Sequence, residues 1–106
     1  MKTEFSKMVD RLAIQTLDGP GEVPAALRRE VAEYAVAPQP GNEQIPPVLM
    51  QYLTKVAMHS YRVTDADIAQ LKAAGYSEDE LYELTVSAAF GAGLARLNRG
   101  LALLEN

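Results

Sequence analysis

Apolar residues recur along the chain at the three- and four-residue spacing of amphipathic helices, and nowhere do they keep the alternation of a β-strand. The pattern predicts about five helices, over residues 3–17, 24–35, 47–61, 65–74 and 78–104. We therefore expect an all-α protein with a single domain that covers residues 1–106.

Proline and glycine mark the boundaries between these helices. The Asp-Gly-Pro-Gly segment at 18–21 ends the first helix, because proline cannot continue the hydrogen-bond ladder. Residues 37–47 hold most of the prolines and predict an extended surface linker. This linker separates an N-terminal helical pair, residues 1–36, from the core helices, residues 48–106.

Two helix starts show the capping-box pattern, in which a hydroxyl residue is followed three positions later by a carboxylate. The pairs are Thr64 with Asp67 and Ser77 with Glu80. Each hydroxyl is expected to accept a hydrogen bond from a free backbone N–H, while the carboxylate reaches back to the cap residue. Gly75 stands between these helices, where a left-handed backbone residue is needed.

The last predicted helix is long for so small a domain and is apolar on more than one side. One face is a continuous stripe, formed by Val86, Phe90, Leu94, Leu97, Leu101 and Leu104. A second face is made of small residues, namely Ala88, Ala89, Gly91, Ala92, Gly93 and Ala95. Glycine within a helix costs roughly 1 kcal/mol relative to alanine, so the two glycines on this face predict that another backbone packs closely against it. We expect a homo-oligomer; the alternative is a central helix covered by its own domain. The predicted interface residues are Ala88, Gly91, Ala92, Gly93 and Ala95.

Charge and hydropathy narrow the choice of partners. The formal net charge is -4, with acidic and basic residues interspersed, which argues against a nucleic-acid-binding face. Arg28, Arg29 and Glu83 are interpreted as parts of solvated helix faces.

The N-terminal residues show no secretory signal, and no run reaches the roughly 18 apolar residues of a membrane span. We expect a cytoplasmic protein that does not contact membranes.

The chain has no cysteine and one histidine, so its catalytic repertoire is narrow. Without cysteine it forms no disulfide and performs no thiol redox chemistry. One histidine together with carboxylates at helix starts is a poor set of metal ligands. We therefore expect neither a metal site nor a cofactor.

The turn Ala74-Gly75-Tyr76-Ser77, with the helices on either side, resembles the AhpD-like superfamily, which includes the carboxymuconolactone decarboxylases. The resemblance covers roughly residues 47–104 and implies an all-α fold that assembles as a homo-oligomer. Redox members carry Cys-x-x-Cys-x-x-x-His before this turn and a glutamate upstream. With Gly75 as the anchor, the corresponding positions here hold Ser60, Val63, Asp67 and Val48.

These replacements remove the chemistry of the redox members. A thiolate is the nucleophile in that reaction, and a serine hydroxyl cannot form the disulfide that completes the cycle. Because no cysteine exists anywhere in the chain, the conclusion does not depend on the alignment. Dithiol peroxidase activity is excluded.

His59 is the leading catalytic candidate, because histidine titrates near neutral pH without perturbation. It precedes Ser60, where the reactive centre of the redox members would begin. One interpretation makes His59 a general acid or base, oriented by a carboxylate and acting on a small organic acid. The other makes it a hydrogen-bonded histidine at a helix end. The candidate residues for a binding pocket are Tyr52, Ser60, Tyr61 and Asp67.

Three functional classes follow from these observations. The leading hypothesis is a non-redox AhpD-like protein that binds a small organic ligand or serves as an oligomeric scaffold. The second is an acid–base enzyme, with decarboxylase or lactone-type chemistry, that uses His59. The third is an adaptor that binds another protein.

Overall fold

The computed structural model describes residues 4–36 and 45–105, and its regular elements there are all helical. The five α-helices are α1 (Glu4–Ala13), α2 (Ala25–Val36), α3 (Pro47–Met58), α4 (Asp65–Ala73) and α5 (Glu78–Glu105). A π-helical turn, Ile14–Asp18, continues α1, and a 3₁₀ turn, Ser60–Arg62, follows α3. The all-α prediction is confirmed, including the long C-terminal helix.

Two predicted helices differ from the structure at their ends. The first changes to π-helical geometry after Ala13 instead of remaining α-helical to its end. The third ends at Met58, because His59 has an extended φ of -146° and a ψ of 57° that interrupt the helix. Most of the predicted linker, at residues 37–44, lies outside the described residues.

Both predicted capping boxes are present. The Thr64 N–H donates to Asp67 Oδ2 at 2.9 Å, and the Asp67 N–H donates to Thr64 Oγ1 at 3.3 Å. The Ser77 N–H donates to Glu80 Oε1 at 2.9 Å, and the Glu80 N–H donates to Ser77 Oγ at 3.1 Å. Gly75 has a φ of 107°, which residues with a side chain rarely adopt. The connection between α4 and α5 is therefore determined by local sequence.

The core forms where α2 and α3 pack against the first half of α5. Helix α2 runs parallel to α5, since its start lies near Glu83 and its middle lies near Gly91. The most deeply buried large side chains are Val31, Ile45, Leu49, Leu53, Leu71 and Leu84.

Gly91 is the point of closest approach between α2 and α5. A Cβ atom at this position would lie 2.1 Å from the carbonyl oxygen of Ala32, far inside van der Waals contact. The predicted close packing of another backbone is thus present, but the backbone belongs to the same chain. Gly91 allows α2 to pack directly on α5.

Arg28 does not lie on a solvated helix face, as its sequence context had predicted. It is buried, and its Nε donates to the Val23 carbonyl at 3.1 Å. Its Nη1 donates to the Thr16 carbonyl at 3.0 Å, and its Nη2 donates to the Gly19 carbonyl. A buried guanidinium must be hydrogen-bonded to offset its lost hydration, and the π-helical turn and the loop before α2 supply the acceptors.

Glu83 was likewise predicted to be solvated, and it instead binds the same loop from the other side. Its carboxylate accepts hydrogen bonds from the N–H groups of Glu22 at 2.8 Å and Val23 at 3.3 Å. The loop between the π-helical turn and α2 is therefore held through its carbonyls by Arg28 and through its N–H groups by α5. Arg29 does remain partly exposed, in an ion pair with Asp18.

We expect Gly91→Ala to lower the free energy of unfolding by about 1–3 kcal/mol, the usual cost of overpacking. The control is Gly93→Ala, because a Cβ there meets nothing within 4 Å. In dilute protein this control should raise the free energy of unfolding by several tenths of a kcal/mol. Urea unfolding of the two variants checks both values, and equal effects would contradict the close contact.

Candidate functional site

His59 lies at the exposed C-terminal end of α3, beside the exposed Tyr61. Its Nδ1 and the Tyr61 hydroxyl are 3.3 Å apart, and the two rings meet edge to face with centroids 5.8 Å apart. In the described part of the chain, this hydroxyl is the only hydrogen-bond partner of the imidazole. The orienting carboxylate that the acid–base interpretation requires is not hydrogen-bonded to His59 there.

The Asp67 carboxylate forms its hydrogen bonds with groups other than His59. Its Oδ1 accepts a hydrogen bond from Lys55 Nζ at 2.8 Å, while Oδ2 caps the start of α4. The hydrogen bond from Lys55, followed by that from the Thr64 backbone, holds the pKa of Asp67 below its ordinary value. The carboxylate therefore joins α3 to α4 instead of serving His59.

Tyr52 and Asp67 do come together, in a small cleft between α3 and α4. Its internal volume is about 40 Å³, room for a few water molecules. Polar groups of Lys55, Gln51 and Gln70 share the cleft with these two residues. Ser60 and Tyr61, the other predicted pocket residues, are exposed and do not line it. The cleft is completed by Val48 and Leu71.

The Tyr52 side chain is fixed by a hydrogen-bonded relay. The Thr85 hydroxyl donates to the Leu81 carbonyl at 2.6 Å, so the Tyr52 hydroxyl, 2.7 Å away, donates to Thr85. The hydroxyl proton of Tyr52 is thus used in the contact with Thr85 on α5. Tyr52 can contribute packing to a ligand in the cleft more readily than a hydrogen bond.

The cleft also contains Gln51, Gln70 and Lys55, which sequence reasoning did not single out, and the charged one among them is Lys55. It is the basic residue in the last turn of α3, whose other residues are uncharged. A lone cation near the end of a mostly apolar helix was the available signal. Its partner, twelve positions away, depends on how α4 folds back onto α3.

The predicted interface residues separate into two groups. Ala88, Gly91 and Ala92 are buried within the chain itself, so in this structure they face its own core rather than a partner. Gly93 is exposed and Ala95 is half-buried. Only the second pair lies where another molecule can reach it.

Two further properties of the described residues bear on function. They contain no group of three or more histidine, cysteine, aspartate or glutamate side chains arranged to hold a metal ion. Within the same residues, no helix combines the length and apolar character needed to cross a bilayer.

Comparison with protein-family models, with curated proteins and with solved structures finds no match for this chain. The AhpD-like assignment therefore stays a prediction.

The Lys55–Asp67 pair predicts a pH dependence of stability. Because folding lowers the pKa of Asp67, its stabilising contribution is present above the unfolded value of about 3.9. That contribution is lost as the pH falls through the lower folded value. We expect Asp67→Asn to reduce the loss of stability between about pH 6 and pH 3.

Urea unfolding at the two pH values measures this difference. Lys55→Met, which removes the ion-pair partner and keeps the Asp67 carboxylate, should weaken the pH dependence in the same direction. Since Asp18 and Glu78 also have lowered pKa values, Asp67→Asn should weaken the acid sensitivity without abolishing it. An unchanged pH dependence would contradict the assignment.

Proposed function

We propose that this chain is a non-redox, AhpD-like helical protein that acts as a homo-oligomeric scaffold. The observation that carries the proposal is the exposed apolar face of α1. Within the described residues, α1 has extensive contacts with the π-helical turn that continues it and with no other element. Met8 and Leu12 are 43% and 45% exposed, and Ile14, at the start of the π-helical turn, is 57% exposed.

An unsupported helix of this length is not expected to persist in water. Helix α1 has 10 residues and continues for 5 more in the π-helical turn, and isolated helices shorter than about 12–15 residues are marginal because nucleation is unfavourable. In most proteins a short amphipathic helix is stabilised by burial of its apolar face. The described part of this chain supplies little of that burial to α1, which favours a partner for its exposed face.

The charges of α1 favour a second copy over a lipid surface. Helices that lie on membranes are usually rich in basic residues, which anionic headgroups attract. Here Glu4 and Asp10 balance Lys7 and Arg11. Glu4 and Arg11 are seven residues apart and so lie at opposite ends of one face. Two antiparallel α1 helices would place each Glu4 opposite the Arg11 of the other chain.

Two structural features support the AhpD-like part of the proposal. It is supported by the five-helix all-α architecture and by Gly75 in a left-handed turn between two capped helices. The absence of cysteine removes the dithiol chemistry of the redox members. A role in assembly instead of redox catalysis is consistent with both observations.

The test of the scaffold function is the mass in solution. We expect light scattering to give a multiple of the 11.5 kDa chain mass at micromolar concentration. The double variant Met8→Glu and Leu12→Glu should lower that mass, because a charge cannot be buried unpaired. Tyr82→Glu, which introduces the same charge at a 71% exposed residue of α5, is the control and should leave the mass unchanged. A wild-type mass of one chain at every concentration would contradict the proposal.

A small polar ligand in the cleft between α3 and α4 is the second candidate function. It is favoured by the convergence of Lys55, Asp67 and two amide side chains on one concave site. Typical ligand pockets have volumes of about 300–1,000 Å³, so the cleft suits a ligand of only a few atoms. Lys55 has further N–H donors beyond the one given to Asp67, which suits a carboxylate group.

Acetate is the simplest probe of this second function. We expect it to shift the amide NMR signals of Gln51, Lys55 and Gln70, and expect Lys55→Met to remove these shifts. Lys72→Met is the matched control, since Lys72 also pairs with a carboxylate but lies outside the cleft. Shifts that are absent, or that survive in Lys55→Met, would contradict ligand binding at this site.

A further inference from the structure

The second half of α5 presents leucines at the spacing of a coiled coil. We call the set Leu94, Leu97, Leu101 and Leu104 the leucine seam. Its intervals of three, four and three residues match the a and d positions of two heptads. Leu94 and Leu97 are half-buried, whereas Leu101 is 40% and Leu104 is 84% exposed.

The seam extends beyond the part of α5 that the rest of the chain covers. Arg96 Nη2 donates to the Ala57 carbonyl at 2.8 Å, the last hydrogen bond from α5 to another described element. Every residue from 98 to 104 is exposed, although the helix continues to Glu105. Two helical turns therefore project from the domain with an apolar stripe along one side.

Two glycines beside the seam have no close neighbour among the described residues that would explain them. Gly93 and Gly100 are one heptad apart, and a Cβ at either position would meet nothing within 4 Å. Glycine in a helix interior is less favourable than alanine. Gly91 differs, because the Ala32 carbonyl occupies the space beside it. Glycines that flank an apolar seam let a second helix approach closely.

We infer that the leucine seam packs against the same seam of a second copy of this chain, with Gly93 and Gly100 beside the contact. This inference rests on the proposed scaffold function and names the surface that joins the copies. A coiled-coil seam is complementary to itself, as a two-fold contact between identical chains requires.

The area of the seam indicates that it does not act alone. Stable interfaces bury about 800 Å² on each partner, from some 20–30 residues, which is more than four leucines contribute. The apolar face of α1 provides additional exposed surface. We therefore place both surfaces in the same assembly.

Leu103 provides a matched control for the seam. It is 72% exposed, more than Leu101, but it points away from the seam by its position in the heptad. We expect the double variant Leu101→Glu and Leu104→Glu to reduce the sedimentation coefficient, while Leu103→Glu keeps the wild-type value. A lipid surface or unspecific apolar association would be sensitive to Leu103 as well, and that result would overturn the inference. Circular dichroism checks that all variants remain helical.

Disulfide cross-linking tests the contact in a second way. Since the chain contains no cysteine, an introduced cysteine can pair only with its copy in another chain. Leu101→Cys should form covalent dimers several-fold faster than Leu103→Cys under mild oxidation, because a disulfide needs Cα atoms within about 7 Å. Equal rates for the two variants would overturn the inference.

Failure of this inference can be told apart from failure of the scaffold proposal. If the wild-type protein is oligomeric but the glutamate variants of the seam keep its mass, the seam is not the contact and the scaffold proposal stands. If the wild-type protein is a single chain at all concentrations, both the seam contact and the scaffold proposal are contradicted.

Discussion

The direct contact between α2 and α5 is the constraint on which the rest of the structure depends. The Ala32 carbonyl occupies the space that a side chain at Gly91 would need. This close approach places two helices parallel and in contact, and the apolar residues of α3 complete the core against them. Enlarging position 91 would separate these helices and disturb the core around them.

Polar interactions then fix the segments around this helix pair. Arg28 and Glu83 hold the loop before α2 through its carbonyl and N–H groups, respectively. Lys55 and Asp67 join α3 to α4. The buried side-chain polar atoms of the described residues all have hydrogen-bond partners. Among the described residues, the buried polar groups thus need no partner outside the chain, whereas the apolar face of α1 and the end of α5 are exposed.

Local features were predictable from sequence and long-range ones were not. The capping boxes and Gly75 were correctly placed, because their partners lie within a few residues. The burial of Arg28 depends on a loop that folds back onto it, and no periodicity encodes that contact. The composition around Gly91 predicted a neighbouring backbone, but only the tertiary structure identifies it as α2. For the candidate site, Tyr52 and Asp67 line one cleft, whereas Ser60 and Tyr61 do not, and Lys55 was not singled out from the sequence.

Hydrogen exchange at two protein concentrations tests most directly whether a second copy covers the surfaces that one chain leaves exposed. The amides of α1 and of residues 98–104 are the informative ones, since they lack cover within the described chain. We expect these amides to be protected in concentrated protein and to lose protection on dilution, while core amides of α3 change little. Rapid exchange of both segments at high concentration would contradict it.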